Sequence, residues 1–361
     1  MLALAIGTVA VVAGLSTTLG DGNGSPSGGP DAGDLSLREL AGQRLVAGFG
    51  GERPPARLRR MIRRGELAGV VLFSDNFDDR REARRLIRGL QSIRRPRGLR
   101  DPLLAMVDQE GGLVKRLPGA PFASAAQMGR RGASFSRRQG RLTARNLARA
   151  GFNVDLAPVL DVGRAGGAIR EEGRSFGATA ARVSATGVRF AAALQAGGVQ
   201  ATAKHFPGLG AAEVNTDFGV ERIELSKATL RSVDEAPFEG FIAGGGGLVM
   251  LSNAIYPAFS GRPAVFTRAI ATGELRQRLE FTGVSVSDAL EAAAARAFGG
   301  PAKVARSAAR AGTDLLLFTD YRAAARAGAA LRRGLRSRAL PRPEFEHSAQ
   351  RVLDLRAELR G

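Results

Sequence analysis

The sequence predicts an α/β protein with a (β/α)8 architecture, the TIM barrel, in a single catalytic domain with an extra C-terminal helix. The first observation is a set of eight near-continuous apolar runs, at 45–50, 67–74, 103–110, 154–162, 198–208, 248–256, 283–290 and 313–320. Such runs are typical of strands that are buried on both faces of a parallel sheet. A doubly wound sheet is the weaker alternative, because the Gly-rich turns lack the fingerprint of a phosphate-binding βα unit.

The second observation is that Arg- and Ala-rich stretches with helical spacing, such as 80–92 and 136–151, lie between most of the runs. An amphipathic stretch at 343–359 predicts the additional helix at the C-terminus. Residues 36–361 exceed the roughly 250 residues typical of this barrel, which allows for long loops. They leave no room for a second full domain.

The N-terminal residues differ in composition from the rest. Residues 2–20 carry no charge and are mostly apolar, and residues 21–35 are rich in Gly, Ser, Pro and Asp. We predict a signal peptide or membrane anchor at 1–20, a flexible linker at 21–35 and the catalytic domain at 36–361. The protein is then extracellular, or membrane-anchored and facing outside. An N-terminal helix packed on the barrel is the alternative, because no basic residues precede the apolar stretch.

Composition excludes several kinds of site. The absence of cysteine rules out disulfides and thiolate catalysis, and two histidines are too few for a histidine-based zinc site. The net charge of +19 makes an anionic cell wall or membrane surface a candidate partner. Nucleic acid is not expected, because the arginines are spread along the chain, tryptophan is absent and aromatic residues make up only 6%.

The third observation is the chemistry at the ends of the runs. One run ends in Lys204 and His205 before a Phe-Pro-Gly turn, although only four of the 53 basic residues are lysine. Two other runs end in Asp108 and Asp288. Because the carboxyl ends of barrel strands meet at one rim, these side chains are expected to converge. Paired carboxylates suit glycoside hydrolysis, and neighbouring cations suit the binding of sugar hydroxyls.

In order along the chain, the segments VDQEGG with Arg116, FNVDLAPVLDV, GRSFG, KHFPG, TGVSVSDAL and RVLDLR resemble glycoside hydrolase family 3. The resemblance is to the single-domain β-N-acetylglucosaminidase branch and covers about residues 36–361. It implies a retaining exo-β-glycosidase that acts on terminal β-linked sugars, with β-N-acetylglucosamine from cell-wall-derived glycans as the candidate, and it implies no metal or organic cofactor. By this resemblance Asp288 is the nucleophile, and the terminal sugar is bound by Asp108, Arg116, Arg174, Lys204 and His205.

The loop after Gly208 departs from the family pattern. Leu209 replaces a histidine, and Asn215-Thr216-Asp217 stands where the family has an Asp-Ser-His sequence that ends in the acid/base histidine. We predict that Asp217 serves as a carboxylic acid/base on a loop that moves over the bound sugar, with Glu213 as the rival residue. Two further possibilities stay open, namely a catalytically impaired carbohydrate-binding barrel at the cell surface and an Arg-rich structural protein of the cell wall. Asp161, at the end of another run, is expected to brace a neighbouring loop.

Overall fold

The computed structural model describes residues 30–359 of the protein. Eight parallel strands form a barrel, and we number them β1 (Leu45–Ala47), β2 (Gly69–Val71), β3 (Leu104–Val107), β4 (Val154–Asp155), β5 (Gln200–Phe206), β6 (Leu248–Leu251), β7 (Val284–Ser287) and β8 (Leu316–Phe318). Each of the eight predicted runs contains one of these strands. The predicted (β/α)8 barrel is therefore confirmed.

Each strand pairs in parallel with the strands that precede and follow it in the chain, and β8 returns to pair with β1. The pairing between β7 and β8 involves the fewest residues, with a single parallel bridge between Val286 and Leu315. Two backbone hydrogen bonds reinforce it, one from the Leu315 N–H to the Ser285 carbonyl and one from the Ser287 N–H to the Leu315 carbonyl. Since all strands run the same way, their carboxyl ends form one rim, where barrel enzymes bind substrate.

Helices surround the strands. The α-helices are Leu37–Gly42, Ala56–Arg63, Arg80–Gln91, Ala125–Arg131, Ala133–Ala150, Ala168–Glu171, Ala180–Val183, Arg189–Gln195, Lys227–Thr229, Ala236–Ala243, Ala293–Arg296, Pro301–Ala311, Tyr321–Arg336 and Arg342–Glu358. Wider π-helical turns occupy Ser184–Val188, Leu230–Asp234 and Ala269–Arg278, and 3-10 turns occupy Ala32–Asp34, Ser74–Asn76, Arg97–Leu99 and Ala264–Phe266.

Side chains of the strands alternate between two apolar clusters. In β3, Leu104 and Met106 belong to a cluster of strand residues inside the barrel, whereas Ala105 and Val107 belong to the larger cluster shared with the helices. This alternation follows from the two-residue period of a strand, which directs successive side chains to opposite faces. It explains why the runs read as continuously apolar, because both faces of each strand are buried.

The C-terminal helix Arg342–Glu358 closes the barrel at the end opposite the rim. Val352 and Leu355 of this helix pack into the interior cluster. The buried Arg356 donates hydrogen bonds to the carbonyls of Leu99, Asp101 and Pro102 at 3.1, 2.6 and 3.0 Å. It also bonds the Gln43 side chain. The extra helix predicted from the sequence is thus an integral part of the barrel.

The folded unit extends further toward the N-terminus than the sequence suggests. Residues 31–35, which were assigned to the flexible linker, include a 3-10 helix, and the N–H of the buried Ala32 donates to Gln350 Oε1 at 2.8 Å. The predicted signal or anchor (1–20) and the linker residues 21–29 lie outside the described residues. Within residues 30–359, no helix has the length and apolar character needed to span a bilayer.

We expect Arg356→Ala to lower the free energy of unfolding by about 3 kcal/mol, because three backbone carbonyls in the segment 99–102 would lose their donor. Urea denaturation followed by far-UV circular dichroism measures the change. Arg333→Ala is the matched control, since this exposed arginine forms no ion pair within residues 30–359. Equal effects of the two substitutions would contradict a structural role for Arg356.

Candidate active site

A cavity of about 580 Å³ opens at the carboxyl ends of the strands. All seven residues that the sequence singled out for catalysis or sugar binding line this cavity, namely Asp108, Arg116, Arg174, Lys204, His205, Asp217 and Asp288. Their convergence is a finding of the structure, whereas their chemical roles stay predictions. Glu213, the rival of Asp217, is exposed and does not line the cavity.

Lys204 is the centre of a buried ion-pair network. Its Nζ atom lies 2.7 Å from Asp108 Oδ1 and 2.7 Å from Glu110 Oε1, and only 3% of its side chain is exposed. Glu110 also accepts two hydrogen bonds from Arg174, at 2.8 and 2.9 Å, and the third guanidinium nitrogen of Arg174 bonds Glu172 at 3.0 Å. The network fixes the positions of Lys204, Asp108 and Arg174 relative to one another before any sugar binds.

Glu110 is the functional residue that the sequence reasoning missed, although it stands in the same VDQEGG segment as Asp108. Burial would raise the pKa of Glu110, but Lys204 and Arg174 outweigh burial and hold this pKa at about 2. Conversely, burial would lower the pKa of Lys204, but Asp108 and Glu110 together raise it. Both groups are therefore charged over the whole physiological range of pH.

A third carboxyl, Asp155, lies beneath this network at the end of β4. Burial raises its pKa well above the ordinary value, and the charges of Asp108 and Glu110 add to the rise. Its Oδ1 atom accepts the Gln109 N–H at 3.0 Å, while Oδ2 has no hydrogen-bond partner within residues 30–359. We read Asp155 as a neutral carboxyl that supports the backbone between Asp108 and Glu110.

Asp161 holds His205 and the start of the following loop. Its Oδ2 atom lies 2.8 Å from His205 Nδ1, and its Oδ1 atom accepts the N–H groups of His205 and Leu209 at 3.1 and 2.7 Å. This is the bracing role expected from the sequence. Because a carboxylate accepts at Nδ1, that nitrogen carries the proton, which leaves Nε2 of His205 for a ligand.

The Asp288 side chain is oriented by backbone groups on the loop after β7. The Ala289 N–H donates to Asp288 Oδ1 at 2.7 Å, and the Ala289 carbonyl accepts Asn253 Nδ2 at 3.0 Å. Asn253 is fully buried. A carboxylate held in this way at a strand end has little freedom to rotate away from a sugar bound in the cavity.

The loop 208–219 is anchored at both ends. At its base, the Tyr256 hydroxyl donates to the Gly208 carbonyl at 2.9 Å. Near its tip, the carbonyls of Thr216 and Asp217 accept the N–H groups of Ala294 and Ala293, each at 3.2 Å. The segment 293–294 follows Asp288 closely in the chain. The loop that was expected to close over a bound sugar is thus already docked on the Asp288 side of the cavity.

Burial raises the pKa of Asp217, the negative charge of Asp288 raises it further, and His205 and Arg174 oppose both effects. The Asp217 side chain is open to solvent at the cavity mouth, which weakens the effect of burial on its pKa. The charge of Asp288 is therefore the more important cause of the rise. A carboxyl with a raised pKa beside a second carboxyl has the electrostatic setting of a general acid.

Two further groups line the cavity: Glu291, which was not assigned from the sequence, and the predicted sugar-binding residue Arg116. Glu291 lines the cavity and accepts the N–H groups of Thr319 and Asp320, both at 3.1 Å, and burial raises its pKa to about 7. Since both carboxyl oxygens are engaged, Glu291 braces the end of β8. The Nε of Arg116 is buried without a partner in the described chain, so it can donate to a ligand.

Within residues 30–359, no group of three or more histidine, aspartate or glutamate side chains is placed to hold a metal ion. The ion pairs described above engage Asp108, Glu110, Arg174 and Lys204 with one another or with Glu172. The arrangement suits an uncharged, hydroxyl-rich ligand that exchanges hydrogen bonds with those groups.

Comparisons with known proteins agree with this chemistry. Residues 35–355 match the model of the glycosyl hydrolase family 3 N-terminal domain. A protein of Arthroderma benhamiae, named an uncharacterized secreted glycosyl hydrolase, is 35% identical over 90% of this chain and 94% of its own length. A beta-hexosaminidase of Pseudomonas aeruginosa is 32% identical over 78% of this chain and 83% of its own length.

Among solved structures, a family 3 β-N-acetylglucosaminidase from Paenibacillus sp. str. FPU-7 superposes with a TM-score of 0.86 at 30% sequence identity. The match covers 91% of this chain and 64% of the Paenibacillus chain, which is the longer of the two. The matched family model spans most of the chain, and the relatives share its barrel. The chain therefore belongs to glycosyl hydrolase family 3.

Proposed function

We propose that the chain is a retaining exo-β-glycosidase in which Asp288 is the nucleophile and Asp217 is the acid/base. The observation that carries the proposal is the docking of the Asp217 loop on the backbone that follows Asp288, which brings both carboxyls to one cavity. Two carboxyls that flank a glycosidic bond are the usual apparatus of glycoside hydrolysis. The alternative of a catalytically impaired barrel gains no support from the relatives, which carry the names of hydrolases.

In the first step, an Asp288 oxygen attacks the anomeric carbon while the bond from that carbon to the leaving oxygen breaks. The leaving oxygen takes the proton of Asp217. In the second step, water attacks the anomeric carbon of the glycosyl-enzyme, Asp217 takes a proton from the water, and Asp288 is released. Two displacements retain the β configuration. The raised pKa of Asp217 favours the first step, because the carboxyl stays protonated to higher pH.

The remaining groups of the cavity bind the terminal sugar in this proposal. Asp108 and Lys204 offer an acceptor and a donor held 2.7 Å apart, and such a pair suits adjacent hydroxyls of a pyranose. Arg116 offers its unpaired Nε, and His205 offers Nε2. We propose that the bound sugar is a terminal residue, and the names of the beta-hexosaminidase and β-N-acetylglucosaminidase relatives support this choice.

We propose a β-linked N-acetylglucosamine at the non-reducing end of cell-wall-derived glycans as the substrate. The names of the Pseudomonas and Paenibacillus proteins support the amino sugar. A panel of aryl β-glycosides, followed by release of the phenol, tests this choice. Fastest turnover of the N-acetyl-β-glucosaminide supports the proposal. Faster turnover of the β-glucoside would identify glucose as the preferred terminal sugar, and no turnover of any member would overturn the proposed activity.

Asp288→Ala is expected to reduce kcat by roughly 10⁴-fold or more while leaving the fold intact, because the covalent step loses its nucleophile. Circular dichroism and the thermal midpoint serve as the folding control. Added azide supplies a sharper measurement, since it can enter the space vacated by the carboxylate and displace the leaving group directly. The product is then the α-glycosyl azide. Formation of the β-azide in this variant would contradict the assignment of Asp288.

Asp217→Ala is expected to slow glycosides with poor leaving groups by about 10²- to 10⁴-fold, and activated aryl glycosides far less in the first step, because these need little protonation. Azide should trap the glycosyl-enzyme as the β-glycosyl azide. In the parent enzyme, activity falls as pH rises through the raised pKa of Asp217, and this alkaline limb disappears in the variant. His205→Gln is the matched control. If it shows the leaving-group dependence and Asp217→Ala does not, the acid/base is His205.

We further propose that the enzyme is exported and rests on an anionic cell surface. A cleft of about 830 Å³ lies at the end of the barrel opposite the active site. Five arginines line it, namely Arg38, Arg64, Arg332, Arg333 and Arg336, together with one acidic residue, Glu39. Ser36 and Leu37, just after the predicted linker, also line this cleft. A surface bound here leaves the catalytic cavity facing away from it. The name of the Arthroderma relative, a secreted hydrolase, supports export.

Charge reversal tests the surface with residues 30–361, so that the apolar N-terminal segment contributes nothing. Arg332→Glu/Arg336→Glu should weaken binding to vesicles rich in phosphatidylglycerol, or to an anionic wall polymer, by tenfold or more. The reason is that each basic residue near such a surface contributes about 1 kcal/mol to binding. Arg137→Glu/Arg141→Glu makes the same change of net charge on another exposed helix. If both double variants lose the same amount of binding in co-sedimentation, the effect is one of net charge alone, and the cleft is not the binding site.

A further inference from the structure

The exposed large hydrophobic side chains of the protein are concentrated at one place. Within residues 30–359 they are Leu113, Phe122, Val214, Phe218 and Val220. All five belong to two loops, the one that follows β3 and the one that follows β5. Single exposed apolar side chains are ordinary, but their confinement to two loops at the catalytic rim points to a ligand or partner at that rim.

Two of the five residues line the catalytic cavity itself. Leu113 is 75% exposed and Phe218 is 80% exposed, and both contribute to the wall of the same cavity as Asp217 and Asp288. The other three do not line it. Leu113 and Phe218 are therefore the most exposed large apolar side chains of the cavity wall, and we refer to this pair as the apolar rim.

Local structure holds each member of the apolar rim in place. The sequence placed residues 103–110 in one strand, but β3 ends at Val107, and Gln109–Gly111 pairs antiparallel with Val114–Lys115. Leu113 stands in the tight turn of this ribbon, which Gly111 and Gly112 allow by their positive φ angles of 94° and 64°. Phe218 follows Asp217, whose carbonyl is fixed by Ala293. Neither residue is on a freely moving segment.

The position of Phe218 relates the apolar rim to the chemistry. In the proposed mechanism Asp217 protonates the leaving oxygen, so the leaving group lies on the side of the cavity where Asp217 stands. The next residue, Phe218, is then beside the aglycone and not beside the terminal sugar. The charged groups that bind the terminal sugar, such as Lys204 and Arg174, are buried deeper in the cavity.

The polar groups at the mouth are partly engaged within the protein. Asn215 Oδ1 accepts the Asp217 N–H at 3.0 Å, and Glu172 Oε2 accepts from Arg174 at 3.0 Å, so one oxygen of each side chain is already used. A pyranose in the leaving-group position could place only a C–H face on Leu113 and Phe218, and its hydroxyls would gain no donor or acceptor from either side chain. An alkyl or aryl group would instead cover both side chains and remove apolar surface from water.

We propose that Leu113 and Phe218 form a binding site for an apolar aglycone, alkyl or aryl, so that the enzyme prefers hydrophobic β-glycosides to oligosaccharides. This inference rests on the proposed glycosidase activity. The aglycone makes no covalent contact with the apolar rim and departs as the alcohol after protonation. The rim acts on kcat/KM through binding of the leaving group, which persists in the transition state.

A homologous series of n-alkyl β-glycosides, from ethyl to hexyl, isolates the contribution of the apolar rim. The leaving alcohols of this series differ little in acidity, so the chemistry is nearly constant along it. We expect kcat/KM to rise about twofold per methylene, since complete burial would give about fourfold and an open rim covers only one side of the chain. A disaccharide of the same terminal sugar should be a poorer substrate than the hexyl glycoside.

The increment per methylene, and not the absolute rate, is compared between variants. Leu113→Ser/Phe218→Ser should flatten the series to less than about 1.3-fold per methylene. Phe122→Ser is the matched control, because Phe122 is 70% exposed and outside the cavity wall, and it should keep the slope of the parent enzyme. A flat series in the parent enzyme, an unchanged slope in the double variant, or a preference for the disaccharide would each overturn the proposal.

A binding measurement separates failure of this inference from failure of the proposed activity. Alkyl β-thioglycosides of N-acetylglucosamine and of glucose resist hydrolysis, and calorimetric titration gives their affinity without turnover. If no glycoside is hydrolysed but affinity still rises with chain length in a way that needs Leu113 and Phe218, the apolar binding site is supported and the proposed activity is wrong. If hydrolysis is observed and affinity does not depend on chain length, the activity stands and the rim falls.

Discussion

The rest of the active site depends on the pairing of the Lys204 ammonium with Asp108 and Glu110. A cation with 3% of its side chain exposed is stable only if nearby carboxylates replace the lost water. Glu110 is shared with Arg174, so one carboxylate joins β5 to the loop after β3 and to the loop after β4. Removal of Glu110 would leave two buried cations with fewer partners, which typically costs about 3–5 kcal/mol. The network thus gives the sugar site both its geometry and part of its stability.

If Asp217 takes the acid/base role that the family resemblance gives to a histidine, as proposed, the electrostatics of catalysis change. A neutral imidazole can approach a carboxylate nucleophile without repulsion, whereas a second carboxylate cannot. In the proposed mechanism a protonated Asp217 avoids this repulsion, and both burial and the negative charge of Asp288 raise the pKa of Asp217. His205 and Arg174 limit the rise, so the proton can still be given up.

The sequence predicted the parts of the structure that depend on local pattern. All eight strands and the C-terminal helix follow from apolar periodicity, and motifs at strand ends gave four of the seven cavity residues. The other three, Arg116, Arg174 and Asp217, followed from the resemblance to glycoside hydrolase family 3. The parts that it did not predict depend on contacts between distant segments. The role of Glu110 requires two cations that lie 64 and 94 positions further along the chain, and the folding of residues 31–35 requires Gln350. Exposure of Leu113 and Phe218 was equally invisible, because an apolar residue in a loop reads the same whether it is buried or at a cavity mouth.

The two ends of the barrel divide stability and chemistry between them. At the end opposite the active site, Arg356 and the apolar side chains of the C-terminal helix complete the interior, and Asp314 is fully buried against Arg276 and Arg351. At the catalytic rim, by contrast, apolar side chains are left in water and two carboxyls are kept close together, both of which cost stability. A protein retains such features where a ligand relieves them on binding. A glycoside with an apolar aglycone would relieve the first feature by covering Leu113 and Phe218, and it would relieve the second when Asp288 loses its charge on forming the proposed glycosyl ester.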